Sequence, residues 1–209
     1  MANEENFQWF VVERWQAFRG EARANLLRLI FISVFYVIEL INFYGLNLRF
    51  LQMPQVVDRD FHILVTEIAV TWCLVGAGIH VCLQRKVFPS ALKYISAGCD
   101  LFFLTLVLLV ADGVKSPLVV TYFLVLGLSA LRFSVRLVQF STVGAVLGYA
   151  CLIGFAKIKG FERPPHYHMV VFATSLALSG VVIGQVIRRV QVLALEFALR
   201  AKVVAEVTP

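Results

Sequence analysis

Six runs of apolar residues, each of roughly twenty positions, follow one another along the chain at about 26–46, 61–83, 91–111, 117–134, 136–156 and 167–187, with short polar connections between them. A helix rising 1.5 Å per residue needs about twenty such positions to cross the hydrocarbon core of a bilayer. The pattern therefore predicts six spanning helices, with consecutive ones lying as antiparallel neighbours and the fourth the shortest. Ahead of the first run, Phe7, Val11, Trp15 and Phe18 recur at helical spacing while Glu13, Arg14, Gln16 and Arg19 fill the other face. That predicts an amphipathic helix over residues 1–24, lying in the membrane interface or packed on a cytoplasmic part. After the sixth run comes Arg188-Arg189. From there Ile187, Val190, Ala194, Phe197, Ala201, Val204 and Thr208 alternate by three and four, the spacing of a heptad seam. The last span is expected to continue unbroken into a helical stalk over 188–209 that pairs in parallel with a second copy. An amphipathic helix folded back on the membrane is the alternative. The expected fold is all-α: a six-helix transmembrane domain over 25–187 between an N-terminal amphipathic helix and a cytoplasmic stalk.

Composition agrees. Sixty per cent of the 209 residues are hydrophobic and 15% are charged, and the mean hydropathy is +0.82. A soluble domain has no interior large enough for that apolar surface. The N-terminus lacks a basic stretch followed by a short apolar core and small-residue cleavage site, so no cleaved signal is expected. The net charge of +6 lies mostly in the connections. It reads as a topology signal and a contact with anionic lipid, not as nucleic-acid binding. Thirteen Lys and Arg fall on the side of the N-terminus, the second and fourth connections and the tail; six fall on the other. The basic side is the cytoplasmic one by this rule, which puts both termini inside and the chain in the inner (plasma) membrane as a multi-pass protein. Cys73, Cys82, Cys99 and Cys151 form no paired motif and read as small apolar packers.

Charges inside a bilayer are costly and are functional candidates by default. Glu39, Glu67 and Asp100 qualify, with no Lys or Arg expected at matching depth. Glu39 and Glu67 fall at similar depth in adjacent helices, and Asp100 falls nearer the middle. Glu39, Asn42, Glu67 and Asp100 are therefore candidate ligand-binding residues in the outer half. His62, His166 and His168 open the second and sixth spans on the same side. Together with Glu67 they supply the donor types of a divalent cation site such as zinc, or of a proton-sensitive network. His62 and Glu67 are five apart, about 140° around a helix, so they do not point squarely at one centre.

Haem is a further option, because His62 and His80 are eighteen apart and share a helix face, a spacing that b-type membrane cytochromes use. His166 or His168 could complete an outer site, but an inner one would need His80 from two chains. No HExxH, GxSxG, phosphate loop or dinucleotide fingerprint is present, so enzymatic catalysis by these residues is not expected. A small cation- or proton-coupled carrier is the main alternative function, although no Gly/Pro-interrupted helix repeats in the two halves. Gly144-xxx-Gly148 and Gly180-xxx-Gly184 allow close helix approach, either at a dimer seam or within one bundle.

Six spans, short loops, termini inside and a last span running through Arg188-Arg189 into a stalk together resemble the membrane input domains of bacterial signalling proteins. Membrane-anchored class III adenylyl cyclases are most similar, some with a comparable Pro-Pro approach to the Glu-Arg-Pro-Pro-His-Tyr-His stretch at 162–168. Six-span sensor histidine kinases are also similar. The resemblance implies a homodimer whose stalks feed a cytoplasmic effector, in cis or in trans; the residues themselves lead to the expectation of a sensor that binds a small ligand or divalent cation, with Gly180, Gly184, Arg188, Val190 and Phe197 as dimer or transmission positions. The cyclase metal-binding aspartates and the kinase phospho-acceptor histidine are not in these 209 residues.

Overall fold

A computed structural model describes residues 2–45, 58–85, 89, 91–161 and 164–207, with only the helical backbone at 2–17 and 198–207. Arg49, Lys86, Glu162 and Arg163, and the side chains of Phe7, Val11, Trp15, Arg200, Lys202 and Val204, lie outside the described residues. Every regular element among the described residues is helical: α1 (Ala2–Tyr44), α2 (Arg59–Gln84), α3 (Leu92–Val110), α4 (Thr121–Ala130), α5 (Val135–Lys159) and α6 (His166–Val207), with short 3-10 turns at Gly113–Lys115 and Pro117–Val120. Five helices are long and apolar enough to cross a membrane, α1 from Phe18 onward together with α2, α3, α5 and α6. The protein is an all-α, multi-pass membrane protein.

The fourth apolar run builds a shorter piece. Ser116 Oγ accepts from the Leu118 N–H and starts a 3-10 turn at Pro117. The helix then ends at Ala130, so Pro117–Ala130 rises only about 23 Å. Below it, Phe133 turns the chain with φ +48°, a left-handed conformation that bulky residues rarely adopt. At the opposite end of α5, Gly160 supplies the left-handed cap (φ +69°) and Lys157 and Lys159 occupy the last turn, where the helix dipole favours cations.

α1 packs on α2, α2 on α3, and α3 on α5; α4 fills the angle between α3, α5 and α6, while α6 lies against α4 and α5. The core is apolar and aromatic. Leu108, Tyr122, Leu126, Leu152 and Leu176 are sealed in it. Trp72 stacks on Phe103 and meets Phe31 edge-on. Gly148 lets α5 approach the Tyr122 hydroxyl and Thr105, which bond each other at 2.8 Å. The outside carries a band of exposed Ile30, Val34, Val70, Leu74, Leu147 and Val170, the surface a lipid environment requires.

Two features bear on function. α1 is one continuous helix from Ala2 to Tyr44, joining the stretch expected as an amphipathic helix to the first span. α6 is likewise unbroken from His166 to Val207 and passes through Arg188 and Arg189 without interruption. At 1.5 Å per residue it is about 63 Å long, roughly twice the hydrocarbon thickness.

Candidate functional site

At the end of the bundle where α3 and α5 begin, seven buried polar residues form one network. α1 presents Glu21, Asn25 and Arg28 at i, i+4 and i+7, one face of a helix. α3 presents Ser96 and Asp100 at i and i+4. Trp72 comes from α2 and Arg132 from the turn after α4. Arg28 grips Asp100 in fork geometry, Nε to Oδ1 at 2.5 Å and Nη2 to Oδ2 at 2.8 Å. Its Nη1 donates to Asn25 Oδ1 at 2.7 Å, and Asn25 Nδ2 donates to the Gly76 carbonyl on α2 at 3.1 Å. Trp72 Nε1 donates to Asp100 Oδ1 at 3.0 Å.

Ser96 joins the two halves. Its Oγ accepts from Arg28 Nη2 and from Arg132 Nη2, and donates to Glu21 Oε1 at 3.0 Å. Arg132 Nη2 also donates to Glu21 Oε1 at 2.8 Å, while Arg132 Nε and Glu21 Oε2 lie 2.7 Å apart as an ion pair without aligned hydrogen-bond geometry. Two guanidiniums and two carboxylates cancel, which is what makes the cluster tolerable away from water. Asp100 therefore has a cationic partner, contrary to the sequence-based expectation. Arg28 is one of the thirteen basic residues of the cytoplasmic count and lies in the first turn of the 26–46 apolar run. Continuation of α1 below that run brings it level with Asp100, about 12 Å along α3 from Leu92.

Asp100 does not join Glu39. Glu39 belongs to a second site at the other end of the bundle, where His62 Nδ1 and Glu39 Oε1 are 2.8 Å apart. The His62 ring stacks on Phe43, with centroids 4.0 Å apart. Thr66 Oγ1 donates to the His62 carbonyl and lies 3.1 Å from the Tyr36 hydroxyl. Glu39 is 11% exposed, and its second oxygen, Oε2, is buried with no partner among the described residues. Asn42 is half-buried one turn further along α1.

Glu67 stands apart on the exposed side of α2, as its angular offset from His62 requires. His166 and His168 are exposed on α6, which packs on α4 and α5, whereas Glu39 and His62 lie on α1 and α2. The outer carboxylates and imidazoles thus do not converge. No group of three His, Cys, Asp or Glu able to hold a metal occurs among the described residues. Glu39 and His62 supply two donors, short of the three or four that a zinc site uses, and the described residues add no third to them. Of the candidate haem histidines, His80 is exposed and 3.0 Å from Gln84 Nε2, and His62 contacts Glu39 and stacks on Phe43.

Both small-residue motifs are used inside the bundle. Gly144 faces Leu101, Gly148 faces Tyr122 and Thr105, Gly180 lies under Thr142 of α5, and Gly184 lies near Val135. Beyond them, Gln191 Nε2 donates to the Phe133 carbonyl at 2.9 Å and ties α6 to the turn that carries Arg132. Arg188 and Val190, just before it, and Phe197 beyond it are exposed. Sequence reasoning passed over Glu21, Asn25, Ser96 and Arg132. The i, i+4, i+7 polar stripe on α1, facing a buried Ser-x-x-x-Asp on α3, is the signal that could have found them.

Comparison of the chain with family models, with curated proteins and with solved structures returned no match.

Proposed function

We propose that this chain is the six-span membrane input domain of a signalling protein, not itself an enzyme. It relays a change at the Glu39–His62 end through α6 to a cytoplasmic effector of adenylyl cyclase or histidine kinase type, held in cis or in trans. The observation that carries this reading is the unbroken α6, one rigid element joining the His166 end of the bundle to a region well past Arg188-Arg189. Helices transmit rotation and translation only where they are continuous. The basic end, with Arg132, Arg188 and Arg189, faces the cytoplasm.

In this reading a small polar ligand engages Glu39 Oε2, which has no partner among the described residues, and disturbs the His62 contact. Differential binding of a few kcal/mol is enough to bias a two-state bundle. The output is a parallel α6 pair. Val190, Leu193 and Phe197 share one side of the extension and are 42%, 51% and 68% exposed, apolar surface that a second copy would cover. The carrier alternative draws less support, because Asp100 and Glu21 are held by Arg28 and Arg132 and do not line an open path.

Single cysteines on α6, in a chain with Cys73, Cys82, Cys99 and Cys151 replaced, test the pairing. Disulfide formation in membranes is expected from Val190→Cys, Ala194→Cys and Phe197→Cys and not from Val192→Cys or Leu195→Cys. Equal cross-linking at all five positions, or none, would sink the paired stalk.

A further inference from the structure

We propose that the groove between α5 and α6 at the basic end binds an anionic phospholipid. This goes beyond the signalling reading and rests only on the helices crossing a bilayer. The groove encloses about 200 Å³ on the outer face of the bundle. Gly180, with Thr142 of α5 packed against it, and Gly184 line it where α6 meets α5.

The lining changes character along its length. Arg188 stands at the mouth, and Gln185 and Gln139 come next, one from each wall. Further along the two helices, away from Arg188, the walls are Val143, Ala177 and Val181, all exposed outward. A phospholipid has the same sequence of groups: a phosphate, then ester carbonyls that accept hydrogen bonds, then an acyl chain. Arg188 matches the phosphate, the two glutamine amides match the esters as donors, and the valine-lined part matches the chain.

The charge is available. Arg188 makes no ion pair with a described residue, and Arg136 and Arg189 are exposed near the same edge. Basic pockets between spanning helices are typical headgroup sites. The occupant would lie one turn before Gln191, whose side chain holds the α4–α5 turn to α6.

The test uses the full chain in nanodiscs of phosphatidylcholine containing spin-labelled phosphatidylglycerol or spin-labelled phosphatidylcholine. Both leaflets carry the same lipids, so the outcome does not depend on orientation, and α6 cross-linking remains a separate readout of the signalling proposal. The immobilised fraction is expected to favour phosphatidylglycerol, and Arg188→Gln to reduce that preference about fivefold. Ala177→Leu keeps every charge and fills the groove on an exposed wall. It should also remove the preference, with unchanged helicity as the control. An Arg188→Gln effect without an Ala177→Leu effect would mean surface charge only and overturn the groove. Full displacement by inorganic phosphate would mean a free-anion site and overturn the lipid. Equal immobilisation of both lipids by the unaltered chain would overturn the site altogether.

Discussion

Arg28 and Asp100, 72 positions apart in the chain, meet through two hydrogen bonds, and each side chain is only 2% exposed. Around this contact α1, α2, α3 and the α4–α5 turn are held in one register.

Removing either partner leaves a buried charge. Asp100→Leu or Arg28→Met should each destabilise the bundle by about 3–5 kcal/mol. The double variant removes both charges and should cost less than either single change, although Asn25, Ser96 and Trp72 then lose partners. Thermal unfolding in detergent measures all three. Additive losses would mean that the two residues are not coupled.

The helices approach closely at Gly20, where an added Cβ would come within 3.0 Å of the Leu131 carbonyl oxygen and 3.3 Å of Arg132 Cα. Both are backbone atoms. Gly20→Val should therefore destabilise by about 1–3 kcal/mol, because the turn cannot withdraw without pulling Arg132 from Glu21. Gly78 has open space around it. Gly78→Ala should be stabilising by roughly 0.5–1 kcal/mol through helix propensity alone. The pair of variants separates packing from propensity in one melting series.

Glu39 and Glu67 looked equivalent in the sequence, and the structure separates them. Glu39→Gln alters the buried hydrogen bond to His62 and should cost about 1–3 kcal/mol. Glu67→Gln on the exposed side of α2 should change stability by less than about 0.5 kcal/mol. Chemical denaturation of both variants checks the contrast.

Phe133 is 58% exposed and has a backbone angle that costs an L-residue about 1–2 kcal/mol. Asparagine tolerates that angle. Phe133→Asn is expected to raise Tm by the equivalent of about 1 kcal/mol, with the Gln191 bond retained because it uses the carbonyl. A lowered Tm would show that the exposed ring contributes more than the turn's strain costs.

Helix order, the class of protein and the continuity of α6 were legible in the sequence because they depend on local apolar runs and on the absence of breakers between His166 and Val207. The short fourth helix was visible in its shortened run. What was not legible is rotation about each helix axis. Hydropathy assigns Glu39, Glu67 and Asp100 a depth but no direction, and direction decides that Glu39 meets His62, Asp100 meets Arg28 and Glu67 faces out. The same holds for Arg28 and Arg132, which enter the basic-residue count without a direction. A count of positive residues near a span end does not distinguish a solvated guanidinium from one folded back onto a carboxylate.

The network also constrains how the chain reaches its membrane. Arg28 leaves the ribosome 72 residues before Asp100, and Glu21 leaves it 111 residues before Arg132. Until α3 and the α4–α5 turn are made, the polar stripe of α1 has no neutralising partners and a position within lipid is costly for it. The contacts that neutralise Arg28 and Glu21 therefore form only once the third helix and the α4–α5 turn have been made.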